Sequence, residues 1–329
     1  MAPKPKSPRV TVAIVAYQSG AFLQRCLDAL AAQDFKDFEA LIIDNGGADG
    51  SVEALNLQDK RFRIEAMGSN LGFAAANNVA ARLSKAEWLC MLNPDTEAEP
   101  GWLSALLDAA ARWPGAASFG STQIELKDPA RLDGVGDVWH AAGVAWRARL
   151  GRPVSETPPE GQVFGPCAAA ALYRREVFTA LGGFDERYFC YCEDVDWAYR
   201  ARLAGWTAVQ VPSAVVRHAG SGISGRASEF TLFHGHRNRV WTFAKNTPAI
   251  WLPLLLPWHL AYNVAMWISA ARKVSGGRAV GRAYWAALKG LGPVLNDRKQ
   301  VQRLRRARYR DLAKAMAWGP FSPLQRDVA

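Results

Sequence analysis

The run VTVAIVA at residues 10–16 limits what this chain can become. It is uncharged, rich in β-branched residues and has no polar face, so it predicts a strand buried on both sides. Phe22, Leu23, Cys26, Leu27 and Leu30 then recur at helical spacing and predict an amphipathic helix to about Gln33. FEALIIDN follows as a second apolar strand ending in polar residues. Strand, helix and strand in that order imply an α/β chain with a parallel sheet and a right-handed crossover.

The alternation continues. A short strand is expected over Arg63–Ala66, a helix over Ala74–Leu83, a strand over Glu87–Leu92 and a helix over Gly101–Trp113. Residues 115–165, with Gly, Pro and scattered Trp, read as further strands or a loop. Residues 172–181 read as helical and GGFDERYF as a loop. Glu193–Leu203 reads as a helix closed by Gly205. TAVQVP and AVVRH give one or two last strands. Open α/β sheets bind ligands beyond the carboxyl ends of their strands. At those ends stand Tyr17, Asp44 with Asn45, and Asn93-Pro94-Asp95.

The 329 residues, half of them hydrophobic, suffice for a sizeable core in one large domain or a domain plus an appendage. Five scattered cysteines, including the CxC of Cys190 and Cys192, lack paired zinc spacing and read as reduced thiols of an intracellular protein. Residues 1–9 are expected to be a flexible N-terminus. With no apolar signal segment behind them, the catalytic part is expected in the cytoplasm. Residues 10–245 read as one catalytic domain. Asn246–Ala271 then carries no Lys, Arg, Asp or Glu but holds Trp251, Trp258, Trp267, Pro253 and Pro257. Its length could span a bilayer, but prolines and internal tryptophans suit a segment lying in the interface. The other reading is a helical pair packed on the sheet domain. From Arg272 to Lys314 the only acidic residues are Asp297 and Asp311, in a chain of net charge +10. A basic stretch after a Trp-rich apolar one suits anionic headgroups, so residues 246–329 are expected to be helical and to hold the protein at the inner membrane face. No nucleic-acid-binding motif accompanies the charge.

Several residue types suit chemistry on a phosphorylated ligand. Asp95, at a strand end, can reach a metal bound to phosphates, though Asn, Pro and Asp also simply make turns. His218 follows a strand and precedes small residues, where it can be a metal ligand or a structural histidine. Glu193, Asp194 and Asp196 open a helix: they compensate its dipole, or supply a general base beside an aromatic acceptor pocket in which Trp197 is a wall. Asp44 can accept from the imide of uracil or thymine, and Tyr17 can stack on that base.

Seven stretches carry a resemblance: VTVAIVAYQSG (10–20), ALIIDNGGADGS (40–51), NLGFAAANN (70–78), LNPDT (92–96), GPCAAAALYRREVF (165–178), GGFDERYFCYCEDVDWAYRARLAGW (182–206) and VPSAVVRHAGSG (211–222). Over residues 10 to about 240 the chain resembles family 2 glycosyltransferases of the GT-A fold, and within them a bacterial rhamnosyltransferase-like group. The resemblance implies a Rossmann-like, mostly parallel sheet flanked by helices. It implies inverting transfer of a sugar from a nucleotide diphosphate, aided by Mg or Mn. It also implies roles: Asp44 on the pyrimidine with Tyr17 near the nucleoside, Asn70 and Gly72 lining the donor site, and Asp95 and His218 as metal ligands. Asp194 would be the base with Glu193 beside it, and Arg237, in HRNR, would pair with the diphosphate.

Three positions depart from the family pattern: Asn93-Pro94-Asp95 replaces two aspartates, Gly47 a common serine, and Ala74–Ala76 a Gly-rich stretch. The subgroup points to L-rhamnose from dTDP-rhamnose and the apolar segment to a lipid-linked saccharide acceptor. A UDP-hexose donor, or a non-catalytic GT-A scaffold protein, are the alternatives. A nucleotide-dependent dehydrogenase would need GxGxxG after the first strand, where AYQSGAF stands.

Overall fold

The computed structural model describes residues 7–220, 228–272 and 276–325, so residues 1–6 of the expected flexible N-terminus lie outside the described residues. β1 (Val10–Ala16), α1 (Phe22–Ala31), β2 (Phe38–Asp44), β3 (Phe62–Ala66), α2 (Phe73–Leu83) and β4 (Trp88–Leu92) follow the expected order. β1 pairs in parallel with β2 and β4, and β2 with β3. Alternate residues of β1 serve opposite faces. Val10, Val12 and Ile14 pack with α1 and with α3 (Trp102–Arg112), while Ala13 and Val15 pack with α2. Two buried faces are why the strand is apolar but for Thr11, whose hydroxyl donates to Glu39 at 2.8 Å.

β5 (Thr96–Ala98) precedes α3, and β6 (Ala116–Glu125), β7 (Leu132–Gly134), β8 (Asp137–His140), β9 (Val144–Arg147) and β10 (Gly161–Val163) fill the stretch expected to be irregular. β11 (Ala170–Arg174) runs antiparallel between β4 and β6. Residues 172–181, expected to be helical throughout, are therefore strand to Arg174 and helix α4 only over Arg175–Ala180. A short apolar run cannot be told from buried helix by period alone. α5 (Glu193–Leu203) appears with its expected bounds. β12 (Thr207–His218) is one strand whose pairing with β6 shifts between Val211 and Val215, around Pro212, which has no N–H for a ladder. The sheet order is β10-β12-β6-β11-β4-β1-β2-β3, with β5 on β12 and β7 on β6; β8 and β9 form a separate hairpin. The fold is the expected α/β one.

α6 (Glu229–Asn246), α7 (Leu252–Ala271), α8 (Gly276–Lys289), α9 (Leu291–Arg303) and α10 (Tyr309–Lys314) complete the described core. The boundary expected after residue 245 falls at the end of α6. A single cluster joins Trp139, Phe164 and Tyr199 on one side of it to Leu255, Val301 and Leu312 on the other, with Phe243 between.

Candidate active site

Strand register assembles the first half of the site. Ala16 pairs with Asp44, so Tyr17 and Asn45 emerge together at neighbouring strand ends. Asp44 Oδ1 accepts from the Gly46 amide at 3.1 Å, and Asn45 Nδ2 donates to Asn70 Oδ1 at 3.0 Å. Asn70 also accepts from the Gly72 amide at 2.9 Å, tying the NLGF turn to the end of β2. Gly72 has φ +84°, and a Cβ there would lie 2.5 Å from the Phe189 ring.

The LNPDT turn leads into β5, which pairs antiparallel with the end of β12 and sets Thr96 opposite His218. That brings His218 Nε2 to 3.2 Å from Asp95 Oδ1, both buried. Nε2 makes no aligned hydrogen bond there. Nδ1 lies 2.7 Å from Asp133 Oδ2 on β7. Burial alone would lower the imidazole pKa; the hydrogen bond to Asp133 and the nearby Asp95 carboxylate outweigh it and raise it. The arrangement fits a divalent ion. An orphaned ring nitrogen and a carboxylate oxygen sit at about the 3 Å separation of neighbouring ligands on a small octahedral cation, and a carboxylate orients the ring from behind. The buried Asn93 Oδ1 is also unpartnered and adds a neutral oxygen.

The second half lies in a cavity of about 490 Å³ reached by Asn93, Asp137, Arg147, Cys167, Glu193, Asp194, His236 and Arg239. Asp137 and Arg147 are cross-strand partners in the β8–β9 hairpin. Arg147 pairs with Asp133 and donates to Cys167 Sγ at 3.3 Å, so it stands between the Asp133–His218 pair and the carboxylates of the cavity. Oxygens of Asp137 and Asp194 and the Cys167 sulfur lie within 4.8 Å of one another. A metal is disfavoured there: burial pushes the Cys167 thiol up to about 12, and a guanidinium already occupies its side. Burial also raises Asp194, opposed by amide donors from Ala168 at 3.0 Å and Val195 at 2.8 Å and by the Arg147 cation. Asp137 and Glu193 are driven well above the carboxylate range, by burial and then by the Asp194 charge. Asp194, with its amide donors and the Arg147 cation, is thus the most favoured of the three in its charged form.

α5 is entered through a strained loop. Phe189, Tyr191 and Cys192 all have positive φ without being glycine. Asn238 of α6 holds the loop, its Nδ2 donating to the carbonyls of Tyr188, Cys190 and Tyr191 at 2.7–2.9 Å.

Two expectations are corrected. Trp197 is no acceptor wall: it is fully buried, stacked on Phe178 and edge-on to Tyr173. Its place on α5 turns it into the core, away from Asp194. Arg237 is spent on the loop: its Nη2 donates to the carbonyls of Arg187 and Tyr188 at 3.0 Å, and its guanidinium lies over Trp241. Asp196 likewise leaves the acidic cluster for a buried network with Lys245 and Arg200. Asp133, Asp137, Arg147 and Arg239 were not singled out from sequence; only the HRNR string, whose resemblance rests on Arg237 and Asn238, marked the neighbourhood of the last. A larger cavity, about 580 Å³, lies behind Asp137 among Arg202, Arg306 and Met316, and none of Asp44, Asp95 and Asp194 reaches it.

Residues 11–182 match the sequence profile of Glycosyl transferase family 2. The chain belongs to that family. It is 32% identical over 286 residues to the N-acetylglucosaminyl-diphospho-decaprenol L-rhamnosyltransferase of Mycobacterium tuberculosis, covering 78% of this chain and 90% of that protein. It is 29% identical over 212 residues to the O-antigen biosynthesis protein RfbC of Myxococcus xanthus, covering 62% of this chain and 16% of that one. Its fold is similar to a mannosyltransferase of Pyrobaculum calidifontis solved with GDP-Man and Mn2+ (TM-score 0.54, 20% identity, 91% of this chain and 86% of that one). It is also similar to GalNAc-T7 solved with UDP, GalNAc and Mn2+ (TM-score 0.57, 15% identity, 73% and 48%). This family 2 chain is a glycosyltransferase on the GT-A fold, of the rhamnosyltransferase-like kind.

Proposed function

We propose that this glycosyltransferase moves L-rhamnose from dTDP-rhamnose, with inversion, onto a hydroxyl of a lipid-linked saccharide at the cytoplasmic membrane face. The likeness over 286 residues to a rhamnosyltransferase named for a diphospho-decaprenol acceptor carries this reading. Asp194 removes the acceptor hydroxyl proton as that oxygen bonds to the anomeric carbon, and the carbon–oxygen bond to the nucleoside diphosphate breaks on the opposite face. Glu193 and Asp137, whose carboxyls burial and the Asp194 charge raise, flank the base. Asp44 accepts from the pyrimidine imide and Tyr17 stacks on the ring, while Asn70 and Gly72 shape the donor side. Asp95 and His218 would hold Mg²⁺ or Mn²⁺, which when bound neutralises the leaving diphosphate.

The membrane reading rests on α7. Residues Ala249–Ala271 form 23 helical residues, and of their most apolar stretch of 18 only 17% are buried. Its inward face is partly polar, with His259 stacked 4.0 Å from Phe243 and Asn263 bonded to Arg239. Outward stand Leu254, 65% exposed, Leu260, 57%, and Trp258, 49%, with Trp285 and Leu288 exposed on α8. A helix tied along one side to a folded domain suits lying in the interface with its outer face in lipid, the basic helices meeting headgroups.

Calorimetric titration with dTDP and UDP, each with and without Mn²⁺, followed by transfer assays with dTDP-rhamnose and UDP-hexoses, tests the donor. Metal-dependent preference for dTDP is expected. Preference for UDP with hexose transfer would overturn rhamnose, and no binding of either nucleotide would remove the catalytic reading.

A further inference from the structure

The outward turns of α6 place Leu232, Gly235, His236 and Arg239 along the wall of the cavity that holds Asp194. Arg239 is 7% exposed, yet no described carboxylate pairs with it. Its Nη2 donates to Asn263 Oδ1 at 2.8 Å and lies 3.3 Å from His236 Nδ1, and Nη1 lies 2.9 Å from the Met266 sulfur. Its Nε has no partner at all. Burial pulls the guanidinium below its ordinary pKa, and Tyr284 and Cys192 only partly oppose that; none of the groups that do is a carboxylate. A buried cation left unpaired is strongly unfavourable, so such a group in a ligand cavity is completed by an anion that arrives with the ligand. His236, pushed down to about 3 by burial and by Arg239, is neutral and offers that anion no competing charge.

We infer that Arg239, with His236 beside it, seats the diphosphate of a lipid-linked acceptor. The inference rests on the proposed reading for the nature of the acceptor. It adds where the acceptor's charge is held and from which side its lipid comes. The partners of Arg239 belong to the helices with the exposed apolar faces: Asn263 and Met266 to α7, and Tyr284, bonded to His236 at 3.1 Å and to the Asn263 carbonyl at 2.9 Å, to α8. An anion at Arg239 therefore lies between the base and the lipid-facing helices, the order in which sugar, diphosphate and polyprenyl chain are joined. The donor's diphosphate shares this chemistry, but Asp95 and His218 do not reach the cavity wall formed by α6.

The test is titration of the full-length protein and its Arg239→Gln variant with geranyl diphosphate under a chelator, and separately with dTDP plus Mn²⁺. The expected result is saturable geranyl diphosphate binding weakened tenfold or more by the substitution, with dTDP affinity unmoved. Equal geranyl diphosphate affinity in both proteins, or none in the wild type, overturns the proposal. Loss of dTDP affinity in the variant also overturns it, because Arg239 would then serve the donor. Geranyl diphosphate binding without any dTDP binding would instead sink the proposed function and leave the anion site standing. A melting curve checks that the variant folds; if it does not, Arg239→Lys keeps the charge without the fork and should bind at intermediate strength, and wild-type affinity there overturns the proposal.

Discussion

His218 Nδ1 lies 2.7 Å from Asp133 Oδ2, a contact between residues 85 positions apart that fixes the imidazole with its other nitrogen toward Asp95. A carboxylate behind a ligating histidine sets its tautomer and basicity, and its loss typically costs 10–100-fold in metal affinity. Asp133→Asn is expected to weaken Mn²⁺ binding by about that factor while His218→Ala weakens it more. Titration of Mn²⁺ against each variant checks this; unchanged affinity in Asp133→Asn would remove the orienting role.

Asp194→Asn removes the proposed base but keeps the shape of the cavity. Turnover should fall by about 10²- to 10⁴-fold, the usual contribution of general base catalysis, with dTDP affinity retained. Steady-state kinetics beside nucleotide titration separates the two, and near-normal turnover would reassign the base.

Burial raises the Asp194 pKa and Arg147 opposes the rise. The base works only when ionised, so kcat/KM should fall as pH drops through a midpoint above the ordinary aspartate range. Removing the cation with Arg147→Met raises the carboxyl pKa further and should move that acid limb to higher pH. Arg147→Lys, which keeps a cation, should leave the limb nearer its wild-type position. A pH–rate profile in which Arg147→Met leaves the limb in place would contradict the assignment.

Asn238→Ala deletes a donor shared by three loop carbonyls. At about 1 kcal/mol for a typical net hydrogen bond, more where a buried acceptor is left bare, the loss should be about 1–3 kcal/mol. Urea unfolding measures it. Turnover should fall alongside, since the freed loop leads into Glu193 and Asp194.

Leu254→Glu with Leu260→Glu places two charges on the outer face of α7 without touching Asn263 or His259. Sedimentation with vesicles containing phosphatidylglycerol should show binding by the wild type and its loss in the double variant at an unchanged melting temperature. Removing everything after residue 245 is a poorer test. It strips Leu255, Val301 and Leu312 from the cluster holding Phe243 and Tyr199, so that truncation is expected to unfold.

The parallel half of the sheet was legible because β1, β2 and β4 are buried on both faces and end abruptly in Tyr17, Asp44 and Asn93. Asp95 and His218 were legible as strand-end residues, but their meeting depends on β5 pairing with the end of β12, which no local pattern announces. Asp133, Asp137 and Arg147 were illegible for a similar reason. Their strands are three or four residues long and are held by register with distant partners. Trp197 misled because α5 is buried nearly all round, so neighbours in sequence face opposite ways without a polar stripe to tell them apart. At HRNR the choice between Arg237 and Arg239 depended on which side of α6 met the cavity, and α7 and α8, packed on that helix, decide it.

The two halves of the cation seat lie on β-elements that bracket the intervening antiparallel strands. During synthesis Asp95 leaves the ribosome long before His218, with Asp133 and Arg147 between them in the chain. Non-local pairings of this kind form late, so the chain cannot assemble a tight ion site until β12 has closed against β5 and β6. If Asp95 and His218 hold an ion as proposed, its capture would mark completed folding, and a chain stalled before residue 218 would scavenge no metal through this seat.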